Sequence, residues 1–124
     1  MNIPENLFYT KDHEWLKLDG DIATIGITDF AQKELGDMVF VDVDWVDEEL
    51  DAEEAFGTIE AVKTVSDMFM PVAGTVIELN EQLDDQPELI NKDAYGEGWI
   101  IKIKVADASE VEAMLTAEQY KELI

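Results

Sequence analysis

The sequence of 124 residues has no cysteine and no arginine, a single histidine and only three prolines. Without cysteine there is no disulfide, thiolate metal site, redox pair or thiol nucleophile, so any chemistry must use other groups; the lack fits a reducing compartment. Eight lysines face 30 acidic side chains, giving a formal net charge of −22. Binding to phosphates needs clustered basic residues, so neither nucleic acid nor an anionic membrane is an expected partner. Long apolar runs are missing as well. The longest, Met68 to Ile77, is interrupted by Pro71, Gly74 and Thr75 and is too short to span a bilayer. Met1-Asn2-Ile3-Pro4-Glu5 begins neither a signal nor a transit peptide, and the expected location is cytoplasmic, or that of a chain whose transit peptide has been removed.

What is present is a chain with 47% hydrophobic residues, too apolar to stay disordered despite its charge. The length predicts one domain over residues 1–124, with a β core at about 14–105 and a helical segment at about 108–124. Apolar and polar residues alternate from Trp15 to Val105 with turn residues at short intervals, the pattern of a β-sandwich or barrel. Strands are predicted at Glu14 to Leu18, Ile22 to Ile27, Met38 to Val43, Ala55 to Val62, Met68 to Met70, Thr75 to Asn80 and Trp99 to Val105. Asp19-Gly20-Asp21 is a hairpin signal. Asp29 to Gly36 reads as a short helix, with Asp29 as its cap and Gly36 as its stop. The period turns helical at Val111, Met114 and Leu115 and again at Tyr120, Leu123 and Ile124, and Thr116 with Gln119 forms a capping box between the two.

At an offset of 38 positions, Ile27-Thr28-Asp29-Phe30 matches Val65-Ser66-Asp67-Met68 and Gly36 matches Gly74, which reads as two copies of one β-unit or as chance likeness between short strands. In that register Ile25 takes the place of Lys63. Lys63 stands between two β-rich runs, at a tight turn that lifts it from the sheet. A lysine there is ordinarily a solubilising surface charge, but this one is one of eight and its neighbours are apolar.

Phe56-Gly57-Thr58-Ile59-Glu60-Ala61-Val62-Lys63, followed by Ser66-Asp67 and Pro71-Val72-Ala73-Gly74-Thr75-Val76-Ile77-Glu78-Leu79-Asn80, resembles the lipoylation segment of the glycine cleavage H-protein family. His13-Glu14-Trp15, Ala23 to Asp29, Gly36-Asp37-Met38-Val39-Phe40-Val41 and Tyr95 to Ile103 match in the family's order, so the likeness covers nearly the whole chain. It implies a barrel-sandwich hybrid of the lipoyl/biotinyl type, two antiparallel sheets from two related halves with short C-terminal helices. It also implies a carrier that is not itself an enzyme, with lipoic acid joined to Lys63 through an amide. The partners implied are a pyridoxal-phosphate glycine decarboxylase, a tetrahydrofolate-dependent aminomethyltransferase, a dihydrolipoyl dehydrogenase and the lipoylation enzymes. The missing cysteines then suit a protein whose redox sulfurs belong to its cofactor.

The resemblance further implies a cleft that shelters the aminomethyl cargo, with Glu14 and Asp67 at family positions lining it and Ser66 beside them. Asp67 with Ser66 would otherwise cap the turn. His13, alone and without cysteine, is a poor metal ligand and reads as structural. Four departures stand out: Glu34 where some members place a histidine facing the cleft, Asp44 where proline is usual, and Asp47 and Glu53 where glycine is usual. Other readings are an H-like protein used mainly for lipoyl relay, and a sibling lipoyl or biotin carrier domain. Biotin carriers flank the lysine with methionines, and the lipoyl domains usually show Asp-Lys-Ala, whereas Val62 and Thr64 stand here. A small hydrolase using Glu14, His13 or Asp67 lacks a recognisable nucleophile or oxyanion hole.

Overall fold

A computed structural model of the chain describes residues 2–43 and 46–124. Among the described residues nine strands form two antiparallel sheets: β1 (Phe8–Tyr9), β2 (Glu14–Asp19), β3 (Ile22–Ile27), β4 (Met38–Val43), β5 (Glu49–Leu50), β6 (Ala55–Ala61), β7 (Val65–Phe69), β8 (Gly74–Leu79) and β9 (Ile101–Val105). One sheet runs in the order β1-β2-β3-β9-β8-β5 and the other β4-β6-β7. The same residues include five short helices: α1 (Asp29–Leu35), α2 (Gln82–Asp85), α3 (Leu89–Lys92), α4 (Ser109–Glu112) and α5 (Ala117–Leu123).

The alternating pattern buries one face of each sheet against the other. Ile25, Ile101, Ile103 and Val76 from the larger sheet meet Met38, Phe56, Ile59 and Met68 from the smaller in one core. Each fully buried aliphatic or aromatic side chain contributes roughly 1.5–3 kcal/mol by leaving water. A second, smaller core lies on the far side of the larger sheet, where Leu7, Tyr9, Trp15, Ala117 and Tyr120 pack together. Trp15 faces Gly26 across β2 and β3. A Cβ at residue 26 would stand 2.7 Å from the indole, so only glycine lets that ring lie flat on the strand.

Helix α1 is capped by Thr28, whose hydroxyl accepts from the Ala31 N–H, while Asp29 occupies the first turn and bonds the N–H of Asn2 instead. The cap therefore falls one residue before the position expected from the sequence. Gly36 ends the helix at φ +88, and the predicted capping box of Thr116 and Gln119 opens α5. Strand β7 starts at Val65 rather than Met68, and Trp99 and Ile100 precede β9 without belonging to it. The offset of 38 lays the junction of β3 and α1 on the strand Val65–Phe69, so that register of the repeat has no structural counterpart.

At the two described departures from glycine the backbone keeps its left-handed form, with φ 66 at Asp47 and φ 70 at Glu53. Such a conformation costs an L-residue roughly 1–2 kcal/mol, less for Asp, which tolerates it better. Asp44 lies outside the described residues.

Candidate functional site

Strands β6 and β7 are joined by Val62, Lys63 and Thr64, and the Ala61 N–H donates to the Thr64 carbonyl at 2.8 Å to close the turn. The Val62 N–H donates to the Asp37 carbonyl at 2.9 Å, fastening the turn to the junction of α1 and β4. Lys63 is exposed. Its stem runs across the backbone of Gly36: a Cβ built there would be 3.4 Å from Lys63 Cε. Glycine at that point serves two needs, the positive φ that ends α1 and a flat surface for the stem.

Beyond Gly36, α1 forms one wall of a cleft of about 430 Å³. Phe30 and Glu34, four residues apart, share the helix face turned to it. The turn before β2 supplies Asp12, His13 and Glu14, and β7 supplies Ser66 and Asp67. Ile27, Ile59 and Met68 make the floor apolar. The structure thus brings Glu14, Ser66 and Asp67 into one site. Ser66 and Asp67 lie within β7 and not at the turn, which removes the turn-capping reading. Asp12 escaped the sequence reading; its spacing of two from Glu14 around a Thr-containing turn was the available signal.

Glu14 is only 3% exposed, yet it is fully bonded. One carboxylate oxygen accepts from the Phe69 N–H at 2.7 Å and the other from the Thr10 hydroxyl at 3.2 Å. Burial pushes its pKa up to about 8 against the lowering effect of these bonds. The group is therefore largely protonated near neutrality, and a cation entering the cleft would draw the proton off by favouring the carboxylate.

His13 adopts φ 66 and its Nδ1 lies 2.7 Å from the Tyr120 hydroxyl, which also meets the Thr28 hydroxyl at 2.7 Å. Its ring packs on Phe30 with centroids 4.7 Å apart. Burial lowers its pKa. The histidine thus ties the cleft wall to α5, a structural role, and among the described residues no cluster of three metal-ligating side chains occurs. Nor is any described helix long and apolar enough to cross a membrane.

Two sheets with a lysine exposed on the turn between β6 and β7, beside a cleft with an apolar floor and acidic walls, define a carrier domain of the barrel-sandwich type. A family model described as Glycine cleavage H-protein matches residues 7–124. The chain is 60% identical to the glycine cleavage system H protein of Bacteroides thetaiotaomicron, over all of this chain and 98% of that one. It is 56% identical to the protein of the same description in Bacteroides fragilis, again over all of this chain and 98% of the relative. A crystal structure of a glycine cleavage system H protein from Mycobacterium marinum aligns with a TM-score of 0.88 at 38% identity, covering 97% of each chain. This chain belongs to the glycine cleavage H-protein family, the lipoyl carriers of glycine cleavage.

Proposed function

We propose that Lys63 is the lipoyl attachment site and that Glu14, Asp67 and Ser66 line the cleft that shelters the aminomethyl cargo. The supporting observation is the alignment of parts: the Lys63 stem lies across Gly36, at the end of the helix whose Ala31, Glu34 and Leu35 line that cleft. Lipoate, when bound, would supply a disulfide, one sulfur of which would take the aminomethyl group while the other becomes a thiol, the two thiols left after release being reoxidised to the disulfide.

The residues present fit such a group. The cleft volume falls within the range of about 300–1,000 Å³ typical of small-ligand sites. Ile27, Phe30, Ile59 and Met68 offer apolar surface to an alkyl chain and dithiolane, and Asp12, Glu14, Glu34 and Asp67 offer carboxylates to a cationic amine. Amide formation removes the lysine charge, which lets the stem lie on apolar surface that an ammonium would avoid. Glu14 would release its proton to solvent as a cationic amine approached, and its fixed bonds to Phe69 and Thr10 would hold the carboxylate in place. The apolar floor would limit the access of water to an S–C–N linkage held there. The chain performs no chemistry itself; the decarboxylase, the aminomethyltransferase and the dihydrolipoyl dehydrogenase do so in turn, with tethering raising the local concentration of the sulfurs at each.

Formaldehyde release from the aminomethyl-charged protein tests the cleft. Glu14→Ala with Asp67→Asn should release it at least tenfold faster than the unaltered chain, and equal rates would overturn the assignment.

A further inference from the structure

On the outer face of the smaller sheet, which also carries Asp42, Thr58 and Asp67, exposed apolar side chains gather at the end nearest the Lys63 turn. Phe40, Glu60 and Val65 oppose one another across β4, β6 and β7, so their side chains share one face. Phe40 is 52% exposed and Val65 61%, and Val62 at the turn reaches 72%. A bulge between Met38 and Phe40 turns Val39 outward too. Single exposed apolar residues are ordinary, but a group gathered around one reactive side chain marks an interaction site. Asp37 and Glu60 beside it are exposed acids.

We propose that this patch is the docking surface for the acyltransferase that modifies Lys63, an enzyme that offers an apolar wall with a basic rim next to its activated acyl donor. The proposal rests on the reading of Lys63 as the attachment site.

Reach selects this occupant. Unmodified, Nζ extends only ~6 Å from its Cα, as bond lengths dictate. Val65 lies two residues away and Glu60, the partner of Phe40, three, or about 7–10 Å at the ~3.3 Å rise of a strand. An enzyme that brings an acyl carbon to Nζ must therefore close over the patch. Attachment more than doubles the reach, and an enzyme working on the distal sulfurs needs no contact with Phe40 or Val65. In the transfer, the neutral Nζ attacks the carbonyl carbon of a lipoyl mixed anhydride or thioester. The amide C–N bond forms, the leaving group departs with the electron pair of its bond, and the amine proton passes to a base of the enzyme. Acidic neighbours facing a basic rim make encounter salt-dependent.

The test uses the full, unmodified chain with a lipoate-activating ligase, ATP and lipoate, and follows acylation by intact mass. Phe40→Ser with Val65→Ser should lower kcat/KM for acylation at least tenfold, while Ile77→Ser, 40% exposed on the larger sheet, leaves it unchanged. Val65→Ser alone, at the sheet edge, should show a smaller loss and serves if the double variant melts early. Driven to full modification with excess ligase, the double variant should be reduced by NADH and dihydrolipoyl dehydrogenase at the unaltered rate. Unchanged acylation, or an equal loss in both assays, would overturn the proposal. No acylation of the unaltered chain would instead overturn the reading of Lys63 on which it rests.

Discussion

Lys63 is exposed on the turn between β6 and β7, and its stem passes beside Gly36. Glu14, in the cleft beyond that glycine, is buried and has both oxygens occupied. In the proposed function the first residue must move between several active sites, which suits a held turn with an exposed side chain. The second would meet a charge that arrives and departs, which suits a side chain fixed by its bonds whose protonation can vary. A carrier needs both, and the comparison locates the two demands on opposite sides of one glycine.

The strongest way to break the comparison is to remove the titration at the cleft. Glu14 binds its proton more tightly in the folded chain, with burial raising its pKa from the ordinary 4.5 to about 8. The stability this contributes is whole below pH 4.5 and is lost as pH rises through about 8, a change on the order of a few kcal/mol. Glu14→Gln cannot titrate, so its melting temperature should gain on that of the unaltered chain between pH 5 and 8. A constant gap would show that Glu14 is not held protonated.

A smaller effect is expected where tip and cleft meet. Gly36→Ala places a Cβ at φ +88, which costs roughly 1–3 kcal/mol for a residue other than glycine. The added methyl also comes into van der Waals contact with the Lys63 stem, 3.4 Å from its Cε. The variant should melt several degrees lower and, folded, should release formaldehyde faster when charged, because the path from Lys63 to the cleft is disturbed. Normal stability would mean that the helix end can rearrange.

Much of this was legible in the residues. Strands β3 and β4 fall at their expected bounds because their alternation and flanking turns leave little choice, and Gly36 and the Thr116–Gln119 box ended and began helices as their chemistry requires. Strands β1 and β5 were not legible, since two residues carry no period. Nor were α2 and α3, four-residue turns fixed by tertiary contacts such as the Asn80 side chain, which reaches the Glu97 and Trp99 carbonyls and takes the Gln82 N–H. At the site, Lys63, Glu14 and Asp67 came from motif likeness. The cleft's Asp12 and Phe30, and the bond of His13 to Tyr120, join residues far apart in the chain and emerge only when α1, α5 and β7 pack around the turn before β2.

The central claim is that Lys63 carries the lipoyl group. Intact mass of the full chain after incubation with a lipoate-activating ligase, ATP and lipoate, set beside Lys63→Arg, tests it most directly. Arginine keeps the charge but offers no amine that can be acylated. A single lipoyl mass increment on the unaltered chain and none on the variant is the predicted result; an increment on both, or on neither, would contradict the account.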